Sequence, residues 1–167
     1  CQMAKELIII RHAKSDWGNV GLSDFDRPLN KRGKSNAPEM AGRLVKQKIV
    51  PQLIVSSPAL RALTTAKFFA DTWQIPLKSI QLEPSIYEAS VKTLLSVVNN
   101  LDNQYDVIAL FGHNPGLTDL ANYFGGYIDN MPTCSVVYLE FPFDDWKMIS
   151  ADTGKVLMFD YPKSGDD

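Results

Sequence analysis

Two short, unbroken apolar runs each lead into a histidine, and no other feature limits the fold as tightly. Leu7-Ile8-Ile9-Ile10 precedes Arg11-His12, and Val107-Ile108-Ala109-Leu110-Phe111 precedes Gly112-His113. A half-exposed strand alternates apolar and polar residues, whereas a run without alternation suits a strand covered on both faces, as in a parallel sheet clad with helices. Both runs are far too short to cross a bilayer. The chain has 2 histidines, and each falls just past the C-terminal end of such a strand, where open α/β sheets take their ligands.

The rest of the chain alternates around these runs. Lys31 to Lys48 carries Ala37, Met40, Ala41, Leu44 and Val45 at helical spacing, despite Pro38. Leu53 to Ser56 reads as a second strand, and Ser57-Pro58 as the cap and first residue of a helix running to about Trp73, with Arg61 in its first turn. Ile80 to Leu82 is a weak strand and Val91 to Asn99 a helix. Asn114-Pro115 repeats the cap-plus-proline signal and opens a helix toward Tyr123. Ser135 to Phe141, Lys147 to Ala151 and Val156 to Phe159 read as antiparallel edge strands. This order predicts an α/β fold with a mostly parallel sheet covered by helices.

Of the 167 residues, 45% are hydrophobic, enough for the core of one domain, expected over 3–162 with Lys163 to Asp167 as a disordered tail. A net charge of −2 without a basic block argues against a nucleic-acid backbone or an anionic membrane as partner. No charged-then-apolar leader is recognised, so the protein is expected in the cytoplasm. Cys1 and Cys134 form neither a disulfide framework nor a zinc-site spacing, and Cys1-Gln2, ahead of a Met3 that reads as a natural start, are set aside.

Arg11 adjoins His12, and Arg61 lies where the free N–H groups and dipole of a helix start favour an anion. Two permanently charged guanidinium forks together with a helix start describe a phosphate pocket. A neutral imidazole can attack phosphorus, which makes His12 the candidate nucleophile, with His113 donating to the oxygens of the transferred group. Taken singly, Arg61 also reads as a solvated helix residue, and Gly112 to Gly116 as a tight strand-to-helix connection.

Four blocks extend this pattern: Leu7 to Ser15, Asp26-Arg27-Pro28-Leu29-Asn30-Lys31-Arg32-Gly33, Ser56 to Ala66 and Gly112 to Leu117. Together and in this order they resemble the histidine phosphatase superfamily, and the short chain resembles its SixA-type phosphohistidine phosphatase branch. The resemblance implies the three-layer, phosphoglycerate mutase-like fold. It also implies a phosphate-binding core of Arg11, His12, Arg61 and His113, transient phosphorylation of His12, and no metal or other cofactor. Ala13 stands where the superfamily pattern has glycine, a departure similar to the SixA-type branch.

Many members of the superfamily place a carboxylic acid between the second arginine and the second histidine to protonate a leaving alkoxide. Glu88 is the candidate here; it reads equally well as a surface carboxylate, and Asp16 and Asp26 are further candidates. Lys14, Ser15 and Arg27 are expected at the mouth of the pocket, with Arg27 reaching the phosphate or pairing with Asp26, and Trp17 either there or packed away. The expected substrate is phosphohistidine on a protein or a small phosphate ester. The alternatives are a general small-molecule acid phosphatase or mutase, and a non-catalytic module that binds phosphate or a phosphoprotein. A metal-dependent hydrolase fits two isolated histidines poorly.

Overall fold

The computed structural model describes residues 4–162, so Cys1, Gln2 and the tail expected at Lys163 to Asp167 lie outside the described residues. Ile8, Ile9 and Ile10 are fully buried because strand β1 (Lys5–Arg11) runs through the middle of a six-stranded sheet. In order across the sheet the strands are β3, β2, β4, β1, β5 and β6. β1 lies parallel to β4 (Val107–Gly112), which is parallel to β2 (Leu53–Ser56), itself parallel to β3 (Gln81–Leu82). On the other side β5 (Val136–Phe141) runs antiparallel to both β1 and β6 (Lys155–Asp160). The late strands are therefore antiparallel as expected, but β5 is an interior strand and β6 alone forms that edge.

Alternation of side chains along the strands divides the core in two. Ile8 and Ile10 of β1 join Ala109 and Phe111 of β4 against α1 (Lys31–Lys46) and α2 (Leu60–Trp73), through Met40, Leu44, Phe69 and Trp73. Leu7 and Ile9 join Ile108 and Leu110 against α3 (Val91–Asn99) and α4 (Gly116–Tyr123), through Leu94, Val98, Leu117 and Leu120. Each fully buried branched side chain contributes about 1.5–3 kcal/mol, so this helix/sheet/helix arrangement follows from apolar residues on both faces of the central strands.

Three local expectations need correction. Lys147 to Ala151 is not a strand: Trp146–Met148 forms a 3-10 turn whose Asp145 side chain accepts from Lys147 N–H. The buried Trp146 indole closes that end of the core, donating Nε1–H to Tyr105 O at 2.9 Å. α2 begins at Leu60 rather than Pro58, because Ser57 is drawn into the sheet by its N–H to Phe111 O at 3.0 Å. α4 begins at Gly116, past a cis Asn114–Pro115 peptide, with Pro115 rather than Asn114 as the capping residue; Asn114 Oδ1 accepts from Thr118 N–H at 3.2 Å from one residue further back.

α1 starts with Asn30 Oδ1 accepting Gly33 N–H at 2.8 Å, and Gly33 lies so close to the strand-end loop that a Cβ there would stand 2.2 Å from Lys14 O. Gly42, in the same helix, has nothing within 4 Å of the equivalent position. Alanine exceeds glycine in helix propensity by about 1 kcal/mol, so propensity alone favours both substitutions equally. In urea unfolding, Gly42→Ala is expected to gain about 0.5–1 kcal/mol. Gly33→Ala is expected to lose about 1–3 kcal/mol from the forced displacement; a gain at both positions would show that the contact with Lys14 does not constrain the loop.

Candidate active site

Pairing of β1 with β4 brings Arg11 opposite Gly112 and therefore sets His12 and His113 side by side, ring centroids 5.3 Å apart. The main chain of His12 is held on both sides: its N–H donates to Gly112 O at 3.1 Å, and its O accepts from Cys134 N–H at 2.9 Å. Its side chain is fixed as well. Nδ1 lies 2.7 Å from Ala13 O, and because a carbonyl only accepts, Nδ1 carries the proton and Nε2 the lone pair. Thr65 supports this contact from α2. Its hydroxyl accepts Ala13 N–H at 2.9 Å while donating to Arg61 O at 2.8 Å, so one buried side chain ties the loop after β1 to the helix that carries Arg61.

His12 and His113 are both buried. Burial is the main cause that lowers His12 to a pKa of about 3; the hydrogen bond to Ala13 opposes it, and the charges of His113, Arg11 and Arg61 add to it. His113 is lowered to about 4, again chiefly by burial and then by Arg61, against a raising effect of Asp24. Both imidazoles are therefore neutral near pH 7. His113 Nε2 lies 2.8 Å from Ser57 Oγ, an oxygen that also accepts Ala59 N–H at 3.2 Å, so Ser57 ties the second histidine to the turn that leads into α2.

Around the two rings lies a cavity of about 510 Å³. Its lining includes Arg11, His12, Arg61 and His113, the four residues expected to hold phosphate, and also Lys14, Ser15 and Arg27. Trp17 lies at its edge, 79% exposed, with the Arg27 guanidinium 3.4 Å from its ring centre. That cation–π contact leaves the indole at the mouth rather than in the core. Asn114, Asn130, Pro132 and Thr133 complete the wall. Arg11 Nη1 donates to Met131 O at 2.9 Å, and Arg27 Nη1 to Ser15 Oγ at 2.6 Å.

The carboxylates fall differently from expectation. Glu88 is exposed and lies outside the main cavity, in an adjoining hollow of about 350 Å³ that it shares with His113, Asn114 and Pro115. Asp16 accepts from Gly18 N–H within its own loop, and Asp26 accepts from Ser23 Oγ, not from Arg27. Arg27 instead pairs with Asp24, its Nε donating to Oδ1 at 3.1 Å. Asp24 also receives Arg61 Nη2 at 2.9 Å and Tyr87 OH at 2.7 Å. These hydrogen bonds, that from Tyr87 first, hold its carboxyl down at about 2. Asp24, Tyr87 and Thr65 escape the sequence reading of the site, and Ser57 enters it only as a helix cap; only Thr65, one helical turn after Arg61, carries a spacing that exposes it.

The histidine phosphatase superfamily (branch 1) model matches residues 7–95. A curated relative, an uncharacterized chloroplastic protein of Arabidopsis thaliana, is 29% identical over 160 residues, covering 91% of this chain and 73% of its own. Among solved structures, the putative phosphohistidine phosphatase SixA from Agrobacterium tumefaciens is 25% identical with a TM-score of 0.80, over 95% of this chain and 98% of that one. A structure of the protein histidine phosphatase SixA complexed with tungstate shares the fold at a TM-score of 0.80, 22% identity and the same coverage of 95% and 98%. With the family model spanning more than half of the chain, from β1 into α3, this protein belongs to the histidine phosphatase superfamily.

Proposed function

We propose that the chain is a phosphatase that takes a phosphoryl group onto His12 and passes it to water, acting on phosphohistidine in a protein or on a small phosphate ester. Membership of the superfamily supports phosphatase activity, and the likeness to a putative phosphohistidine phosphatase supports a phosphorylated substrate. The observation that carries the reading is the state of His12: a neutral imidazole, its Nδ1–H held by Ala13 O, with a free Nε2 lone pair in a cavity walled by Arg11, Arg61 and His113.

In the first step the Nε2 lone pair forms a bond to phosphorus as the bond to the leaving nitrogen or oxygen breaks. Arg11, Arg61 and His113 hold the three phosphoryl oxygens, where charge gathers in the transition state. Water then attacks phosphorus, the P–N bond to His12 breaks, and inorganic phosphate leaves with the imidazole restored. The arginines meet the oxyanion charge, so the reading calls for no metal or other cofactor. It keeps the protein cytoplasmic, without nucleic acid or membrane as partner; among the described residues no helix is long and apolar enough to cross a membrane. Glu88 serves as proton donor only when the leaving group is an alkoxide, reaching it from the hollow beside His113.

Phosphate release from a polypeptide phosphorylated on histidine, and from p-nitrophenyl and alkyl phosphates, tests this directly. The wild type is expected to release phosphate from the phosphohistidine polypeptide, with and without a strong chelator, and His12→Ala to lose at least about 10³-fold in kcat. Undiminished release by His12→Ala would place the nucleophile elsewhere, and no release by the wild type from any of these compounds would leave a phosphate-binding module.

Two further outcomes follow from the site. Glu88→Gln is expected to slow alkyl phosphate hydrolysis by about tenfold or more while sparing phosphohistidine; equal effects would remove Glu88 as donor. Because the folded protein keeps His12 near 3 and His113 near 4, lowering the pH from about 7 to about 5 protonates neither in the free enzyme. Once corrected for substrate ionisation, kcat/KM should therefore show no acid limb near the ordinary imidazole pKa, and such a limb would show that the nucleophile is not the buried, neutral His12.

A further inference from the structure

The loop between β1 and α1 returns to the site at a residue the catalytic reading does not use. Asp24, on the 3-10 turn Asp24–Asp26, meets the tip of the Arg61 guanidinium twice. Nη1 donates to its main-chain O at 2.6 Å and Nη2 to its Oδ2 at 2.9 Å. These bonds occupy the end of the planar fork and leave its side edge, Nε–H with the second Nη2–H. Nε is buried and has no hydrogen-bond partner among the described residues. The Arg61 side chain is 7% exposed and lines the cavity beside His12. A buried N–H is normally satisfied, and an oxyanion in the cavity would satisfy this one together with its Nη2 neighbour, in the bidentate geometry that arginine offers phosphate.

Asp24 is itself held from three directions. Besides Arg61, Tyr87 OH donates to Oδ2 at 2.7 Å and Arg27 Nε to Oδ1 at 3.1 Å. Tyr87 in turn stands edge-on to His113 with ring centres 5.6 Å apart. Arg27 reaches back to Ser15 Oγ. One carboxylate thus joins the loop before α1, the start of α2 and the segment beside the second histidine.

We propose that Asp24 is a positioning residue of the phosphoryl site: by holding the end of the Arg61 fork it turns the Nε/Nη2 edge toward the phosphoryl oxygens. It touches Arg61, not the substrate. The inference rests on the phosphatase reading above. A carboxylate that merely competed with phosphate for Arg61 would make the same contacts but have the opposite effect on removal.

Binding of orthovanadate by calorimetry to the wild type, Asp24→Ala, Asp24→Asn, Arg61→Ala and the Asp24→Ala/Arg61→Ala double variant separates these roles. Asp24→Ala is expected to weaken binding by about tenfold or more, and to change it by less than about twofold once Arg61 is gone. Asp24→Asn keeps the shape and part of the hydrogen bonding, so its affinity should fall between wild type and alanine, which keeps the test sound if the alanine variant folds poorly. With the phosphohistidine polypeptide the loss should appear in kcat/KM, with the pH profile unmoved. Equal or tighter vanadate binding by Asp24→Ala and Asp24→Asn would overturn the proposal, as would a loss that persists undiminished without Arg61. If the wild type itself fails to bind vanadate, the phosphatase reading falls and this inference with it; binding by the wild type with no effect at Asp24 sinks the inference alone.

Discussion

The ammonium group of Lys5, 1% exposed at the start of β1, sets the register on which the site depends. A strand that is apolar on both faces has no hydrophobic pattern to say which residue of its neighbour it should face, because a slip by one exchanges one buried face for another. Lys5 removes that freedom. Its Nζ donates to Asp106 Oδ1 at 2.8 Å and to the main-chain oxygens of Asn103 and Tyr105, all immediately before β4. A slip would strand a buried charge, which costs several kcal/mol. At the far end the same β1–β4 register delivers His12 N–H to Gly112 O, so a polar contact at the bottom of the sheet decides that the two histidines meet at the top.

What is assembled there is electrostatically uneasy. Neutral imidazoles sit beside guanidinium groups whose charges, together with burial, keep them from taking a proton. The arginines are anchored by groups outside the reaction: Arg11 by Met131 O, Arg61 by Asp24, Arg27 by Asp24 and Ser15. On the phosphatase reading proposed above, side chains so held lose little freedom when an oxyanion enters, and the dipoles around it need no reorganisation during transfer.

Much of this is legible in the sequence because the relevant signals are strong and local. The unbroken runs at Leu7 to Ile10 and Val107 to Phe111 announce buried parallel strands, and the histidines after them are where such a sheet presents ligands. Arg61 is correctly placed in the first turn of α2, although the expected cap, Ser57, lies two residues before the capping residue Ala59 and meets His113. The failures share a cause: a partner distant in the chain outbids the local rule. Lys147 to Ala151 has strand-like composition, but the neighbouring Trp146 is claimed by Tyr105 and Asn103. Asp24 looks like any other acid of a polar turn, and Asp26 stands next to Arg27 in sequence, yet the folded loop gives Arg27 to Asp24. No spacing in one chain foretells a contact between Asp24 and Tyr87.

The support of His12 by residues of the late chain carries a consequence for synthesis. Its carbonyl is held by Cys134, and Arg11 N–H by Ser135, just before β5. Contacts that span so much sequence form only after a large loop closes. A nascent chain halted on the ribosome before β5 has emerged therefore possesses both histidines and both core arginines but lacks the strand that braces His12. The bracing of His12 and Arg11 therefore arrives with β5 rather than with either histidine, and on the phosphatase reading proposed above the appearance of activity can serve as a clock for completion of the sheet.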